Sequence, residues 1–201
     1  PGALNQVREL VADRPAVLVT SPGWLQRGAT EKFSKVLGKE LLGIYGQVKK
    51  TPSIDACLQA AAFMQQFTQK DKILIGLGGG SVLDTTKVMA AACDQRFNEK
   101  TFRAWLKDAN NIPEDLQPND TILIPTTAGS GSEVTMWASV WDRKKQKKSS
   151  LTHPKLYAQH VILDAALTCS LPIKQTLASA LDALSHACES VWNKHANPQS
   201  D

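Results

Sequence analysis

Apolar residues in this chain follow two patterns: short unbroken runs, and longer stretches with an apolar residue at every third or fourth position. The runs have the length of strands and occupy residues 14–20, 41–48, 72–78 and 121–125. The periodic stretches predict helices over residues 29–38, 53–68, 82–92 and around Phe102, Trp105 and Leu106. Strands that alternate with helices predict an α/β fold built on a parallel sheet.

Shorter signals add detail to these segments. Residues 21–23, Ser-Pro-Gly, predict a turn after the first run. Thr30 and Ser53 are the expected N-caps of the helices that follow them. Residues 136–140 and 161–164 provide two further extended segments.

The pattern changes after residue 165. No later strand is indicated, and residues 173–192 predict one long helix. Its apolar side consists of Leu177, Leu181, Leu184, Cys188 and Val191. We therefore expect a domain boundary near Ala165, with an α/β domain over residues 1–165 and the first part of a helical domain over residues 166–201.

The third apolar run passes directly into Gly78, Gly79 and Gly80 and then into a helix. Glycine lets a backbone approach a ligand closely, and the start of a helix presents unpaired N–H groups to that ligand. A phosphate is the natural occupant of such a turn. The spacing matches neither the common dinucleotide fingerprint nor the phosphate loop with a lysine, so a purely structural glycine turn is the alternative.

A second ligand-facing segment follows the fourth run. Residues 126–133, Thr-Thr-Ala-Gly-Ser-Gly-Ser-Glu, combine hydroxyls, small side chains and backbone amides at the end of a predicted parallel strand. Such a loop offers several hydrogen-bond donors without bulk, as a ligand site requires.

Asp182 and His186 stand one turn apart in the last predicted helix. Residues at this spacing share a helix face, and a carboxylate with a neutral imidazole makes half of a site for a divalent metal. A simple hydrogen bond between the two side chains is the alternative. Two ligands alone do not hold a catalytic metal, for which about three or four are usual.

Composition argues against several classes of function. The net charge of +4 is modest and comes largely from residues 143–148, which predict a solvated loop and not a nucleic-acid surface. No run approaches the roughly 18 apolar residues of a membrane span, and residues 1–5 do not resemble a signal peptide. Four scattered cysteines indicate reduced thiols, so a cytoplasmic protein is expected.

Three blocks of sequence resemble the signature of the iron-containing alcohol dehydrogenase family, in the same order and at similar separations. They cover residues 78–87, 125–135 and 182–189. The resemblance implies a Rossmann-like dinucleotide-binding domain followed by an all-helical metal-binding domain, with the active site between them. It also implies hydride transfer between NAD or NADP and a small aldehyde or alcohol, assisted by Fe(II) or Zn.

Positions that match the family's motifs are the expected site residues. The cofactor would be bound by Gly79, Gly80, Ser81, Asp84, Thr126, Thr127, Ser130 and Lys148. The metal would be bound by Asp182 and His186. No further catalytic residue is assigned.

The chain also departs from the family pattern. Family members are about twice as long, so we expect an amino-terminal fragment with at most half a metal site and little turnover alone. An open sheet edge, left by an absent first strand, predicts a homo-oligomer. Ala165 stands where the family usually has proline. Ser21, a neutral residue after the first run, leaves room for the 2′-phosphate of NADP, although an ordinary turn residue is an equal alternative.

The substrate and the reaction class have alternatives. Residues 148–157 resemble a subgroup that reduces small aldehydes with a charged tail, including phosphonoacetaldehyde. A sugar-phosphate cyclase of the dehydroquinate synthase type shares the architecture, but residues 126–135 fit it poorly. A nucleotide-binding module without catalysis is the third interpretation. No nucleic-acid or membrane partner is expected.

Overall fold

A computed structural model describes residues 2–194 and 196–197, without the side chain of Ala3. The strands of this part are β1 (Ala16–Thr20), β2 (Leu41–Tyr45), β3 (Ile73–Gly78), β4 (Asp120–Pro125), β5 (Trp137–Asp142), β6 (Lys147–Thr152) and β7 (His160–Val161). The α-helices are α1 (Gln6–Val11), α2 (Pro22–Gln26), α3 (Ala29–Leu37), α4 (Ile54–Met64), α5 (Gly80–Ala91), α6 (Glu99–Lys107) and α7 (Ile173–Trp192). Short 3₁₀ turns include Ser132–Val134 and Ala165–Leu167.

Five strands form a parallel sheet in the order β2, β1, β3, β4, β7, which confirms the predicted α/β fold. The strand β3 lies in the centre, with β1 on one side and β4 on the other. Because the strands are parallel, the segments that follow β1, β3 and β4 meet at one edge of the sheet. The glycine turn after β3 therefore lies beside the small-residue loop after β4.

Alternate strand residues point to opposite sides of the sheet, and helices cover both faces. Leu18 and Ile75 pack with Phe33 and Leu37 of α3 on one face. Val17, Val19, Leu74, Met64 and Met89 form the core against α4 and α5 on the other face. A third apolar cluster joins α4, α5 and α6 to the β5–β6 hairpin.

Two details near the start of the chain differ from prediction. Residues 21–23 do not make a simple turn, because Pro22 occupies the first position of α2, where its fixed φ suits a helix. The N-cap of α3 is Gly28, with a left-handed φ of 78°, and not Thr30. Ser53 is confirmed as the cap of α4, where its hydroxyl accepts a hydrogen bond of 3.2 Å from the amide of Ala56.

The prediction of a loop throughout the basic segment is wrong at the end of that segment. Lys147 begins β6, which pairs antiparallel with β5. In this pairing Trp137 lies opposite Thr152, and Asp142 lies opposite Lys147. Only Leu151 is fully buried in β6, so the strand carries too weak an apolar alternation to be read from sequence. The last strand of the sheet is also shorter than predicted and covers only His160–Val161.

The predicted long helix is confirmed as α7, but its apolar side is not packed. No residue of α7 is buried, and Leu177, Leu181 and Leu184 are 58%, 66% and 59% exposed. Among the described residues, no helix is both long enough and apolar enough to cross a membrane.

Candidate functional site

A cleft of about 600 Å³ opens above the carboxyl ends of β3 and β4. Its walls are the segment before α4, the start of α5, the loop after β4, the β5–β6 hairpin and α7. Seven predicted site residues line it, namely Gly80, Ser81, Asp84, Ser130, Lys148, Asp182 and His186. Segments far apart in sequence therefore converge on one space.

The glycine turn allows two loops to approach closely. A Cβ atom at Gly79 would lie 3.2 Å from the hydroxyl of Thr127, and one at Gly80 would lie 3.3 Å from that of Ser130. Neither glycine has a positive φ, so close approach and not backbone conformation explains them. The first amides of α5 have no partners within the helix and start at this wall of the cleft.

The other predicted cofactor residues lie beside the cleft and do not line it. Thr127 packs against Gly79. Thr126 is buried, and its hydroxyl accepts a hydrogen bond of 3.2 Å from the indole N–H of Trp24. Thr126 therefore joins the loop after β4 to α2.

Asp84 fixes the wall of the cleft. One of its carboxylate oxygens accepts a 2.7 Å hydrogen bond from the hydroxyl of Ser132, and the other accepts a 2.9 Å bond from the amide of Ser139. Burial raises the pKa of Asp84, while these two hydrogen bonds and the charges of Lys87 and Lys148 lower it. Asp84 thus ties the loop after β4 and the strand β5 to α5.

Sequence reasoning missed the contribution of β5. Trp137, Ser139 and Trp141 occupy alternate positions of this strand and line the cleft together. The amide of Trp141 also donates a 2.8 Å bond to the carbonyl of Pro52, which attaches the segment before α4. The alternation of Trp137, Ser139 and Trp141 with the apolar Ala138 and Val140 could have predicted that these three side chains share one face of β5.

Asp182 and His186 form the predicted pair of potential metal ligands. The distance from Asp182 Oδ1 to His186 Nε2 is 3.9 Å, which is too long for a hydrogen bond. His186 Nδ1 lies 3.2 Å from the carbonyl oxygen of Gly129. Since a carbonyl can only accept, the neutral ring carries its proton on Nδ1 and has its lone pair on Nε2.

This pair offers one carboxylate and one imidazole, which is fewer donors than a complete metal site has. Within the part of the chain that the structure describes, no group of three or more His, Cys, Asp or Glu side chains could hold a metal ion. Both side chains are about half exposed and face the cleft. The chemistry of the donors fits a divalent first-row metal, whereas their number does not complete a site.

Gly129, in the loop after β4, contacts α7. Its φ is +111°, and a Cβ atom there would collide with the backbone carbonyl of Ser179 and lie 3.4 Å from Cβ of Ala183. Only glycine allows the loop and α7 to touch in this way. This contact brings Asp182 and His186 to the cleft.

These features define an α/β protein in which a glycine turn and the Asp182–His186 pair lie on one cleft. The family profile described as "Iron-containing alcohol dehydrogenase" matches residues 1–165. The chain therefore belongs to the iron-containing alcohol dehydrogenase family, as its motifs suggested.

Individual proteins agree with this assignment. The sulfoacetaldehyde reductase of Bilophila wadsworthia is 35% identical over 201 residues, which are 99% of this chain and 50% of that protein. The NADPH-dependent butanol dehydrogenase of Clostridium saccharobutylicum is 32% identical, over 100% and 51% of the two chains. The chain thus spans about half the length of the curated relatives it matches.

A solved structure confirms the fold. The sulfoacetaldehyde reductase from Bifidobacterium kashiwanohense, in complex with NAD⁺, superposes with a TM-score of 0.87 at 23% identity. The superposition covers 98% of this chain and 51% of that one. The matching half contains the parallel sheet and the start of the helical part.

Proposed function

We propose that this chain is the cofactor-binding half of an NAD(P)-dependent, metal-assisted alcohol dehydrogenase or aldehyde reductase. The observation that carries the proposal is the convergence of the glycine turn, Lys148 and the Asp182–His186 pair on one cleft. The family assignment supports hydride transfer over the cyclase interpretation. We further propose the division at about residue 165, because β7 ends the sheet and α7 contributes no buried residue.

The α/β part fits a dinucleotide. Gly80 and Ser81 begin α5 at the cleft wall, and the positive end of the helix dipole favours the pyrophosphate there. The hydroxyl of Ser81 donates to the carbonyl of Lys50, so its side chain is oriented by the segment before α4. Lys148 of β6 supplies a cation that lines the same cleft. When bound, the nicotinamide ring supplies the hydride chemistry.

The helical part would hold the metal through Asp182 and His186. The Gly129 carbonyl keeps the His186 ring in the tautomer that leaves Nε2 unprotonated. A bound divalent ion polarises a carbonyl oxygen or lowers the pKa of an alcohol. A carboxylate oxygen and an imidazole nitrogen suit both Fe(II) and Zn(II).

We propose small aldehydes with an anionic tail as the substrate class. Two cations, Lys50 and Lys148, line the cleft, and the relative described as a sulfoacetaldehyde reductase covers nearly the whole chain. For the cofactor, Ser21 follows β1 at the same sheet edge as the glycine turn, although it does not line the cleft. A neutral residue there is compatible with NADP.

Two properties of the whole protein are also proposed. The outer edge of β2 has no neighbouring strand in the described sheet, which supports a homo-oligomer. All four cysteines are free thiols, which supports a cytoplasmic location.

Calorimetric titration of the chain with NADH and with NADPH tests the proposal. We expect saturable binding, with NADPH at least as tight as NADH. Gly80→Val should weaken binding at least tenfold, because its side chain would press on Ser130. Gly23→Val is the control, since a Cβ there meets only ordinary contacts. Absence of binding by the unmodified chain, or equal binding by both variants, would overturn the proposal.

A further inference from the structure

Lys87 is completely buried, with 0% exposure, and lies one helical turn after Asp84 on α5. Its ammonium donates to the carbonyl of Ser132 at 2.6 Å, the carbonyl of Trp137 at 2.8 Å and the hydroxyl of Thr135 at 3.1 Å. A protonated lysine has three N–H donors, and these contacts use all of them.

All three acceptors belong to one wall of the cleft. Ser132, Thr135 and Trp137 line it directly, and they lie 45 to 50 residues after Lys87 in the sequence. Asp84 holds the same wall through the hydroxyl of Ser132 and the amide of Ser139. Lys87 and Asp84, one turn apart on α5, therefore both form hydrogen bonds with residues 132–139.

Burial makes this cation costly. Desolvation lowers the pKa of Lys87 to about 8, whereas the nearby charges of Asp84 and Glu133 raise it. An apolar side chain of similar length would fill the same space without a buried charge. It could not donate hydrogen bonds to the three oxygens, however. The ammonium is therefore needed to hold Ser132, Thr135 and Trp137 in place.

We propose that Lys87 is a positioning residue, whose ammonium holds residues 132–139 in the conformation that binds the cofactor. This inference rests on the proposed function, because the wall matters for activity only if a dinucleotide occupies the cleft. Lys87 itself is buried behind the wall and acts through Ser132, Thr135 and Trp137.

The test compares Lys87→Met with Thr86→Val. Met keeps the length of the side chain and removes the donors. Thr86 is equally buried on α5, but its hydroxyl donates only within the helix, at 2.8 Å to the carbonyl of Val82. Titration with NADH measures affinity, and hydrogen exchange read by mass spectrometry measures the order of residues 132–139 without cofactor.

We expect Lys87→Met to bind NADH at least tenfold more weakly and to exchange at least tenfold faster in residues 132–139 alone. Thr86→Val should match the unmodified chain in both measurements. Unchanged affinity, or faster exchange spread evenly over the chain, would overturn the inference. If the unmodified chain does not bind NADH, the proposed function fails, while the exchange experiment still reports whether Lys87 orders the wall.

A second pair of variants covers the case in which Lys87→Met does not fold. Thr135→Val removes one acceptor of Lys87, and Thr135→Ser keeps it. We expect about threefold weaker NADH binding and faster exchange in residues 132–139 for the Val variant, and recovery of both by the Ser variant. Equal behaviour of the two variants would contradict the positioning role.

Discussion

At Lys87 the same buried charge lowers the stability of the fold and orders the wall of the cleft. Its pKa falls to about 8 in the fold because burial disfavours the charge. Asp84 and Glu133 are the charged groups that oppose this change. Below about pH 8 the cation is present in both the folded and the unfolded chain, and its full desolvation cost opposes folding.

The sign of the pH dependence follows from the lowered pKa. Between about pH 8 and the usual lysine pKa of 10.5, the folded chain releases the proton while the unfolded chain keeps it, so stability rises with pH. A tenfold difference in proton affinity between the two states corresponds to about 1.4 kcal/mol, so the gain approaches about 3 kcal/mol. Urea unfolding at pH 7 and pH 10 should show this gain relative to Lys87→Met.

The same deprotonation removes one donor from the wall of the cleft. We therefore expect NADH affinity to fall over the pH range in which stability rises. If the free energies of unfolding of the chain and of Lys87→Met changed in parallel with pH, the lowered pKa of Lys87 would be refuted.

At the scale of elements, helix ends give a matched pair of substitutions. Ser53 caps α4 through its hydroxyl, whereas Thr30 lies inside α3 behind Gly28. Ser53→Ala should cost about 1 kcal/mol of unfolding free energy, the usual value of a lost N-cap. Thr30→Ala should change it by less than about 0.5 kcal/mol, as for an exposed surface site. Chemical denaturation measures both, and equal costs would contradict the assignment of the caps.

The docking of α7 depends on one glycine. In Gly129→Ala the new methyl group would collide with the carbonyl of Ser179, so α7 should separate from the loop after β4. We expect limited proteolysis within α7 to accelerate at least fivefold. Gly131→Ala is the control, because its φ is also positive, at +61°, but a Cβ there meets nothing within 4 Å. Similar cleavage rates in the two variants would show that backbone strain and not the collision matters.

Sequence patterns predicted the elements whose signal is local. The runs of β1, β3 and β4 and the glycine turn after β3 were confirmed, because buried parallel strands and tight turns need particular residues in sequence. The extended segment over residues 136–140 was confirmed as β5. The strand β6 was missed, since it is polar and only one leucine in it is buried. The contacts of Lys87 could not be predicted, because its partners lie 45 to 50 residues away in sequence and meet it only through the packing of residues 132–137 against α5.

At the scale of the whole molecule, the described part of the chain consists of a packed α/β body and the helix α7, in which no residue is buried. The body holds the glycine turn, Asp84 and Lys148 through buried clusters on both faces of its sheet. The helix α7 carries Asp182 and His186 and reaches the body through Gly129. Cofactor binding and metal binding should therefore be separable.

Removal of residues 170–201 tests this separation. The cut leaves Asp164 and the buried Leu167 in place and deletes a helix in which no residue is buried. Burial of apolar area contributes about 25 cal/mol per Å², so an unburied helix adds little, and we expect the unfolding free energy to change by less than about 1 kcal/mol. NADH affinity should stay within about threefold of that of the uncut chain. Any Zn²⁺ binding that depends on His186 should vanish. His186→Ala in the uncut chain is the matched control for that loss. A stability loss of about 3 kcal/mol or more would mean that α7 belongs to the folding unit of the sheet, because a loss of that size requires buried contacts.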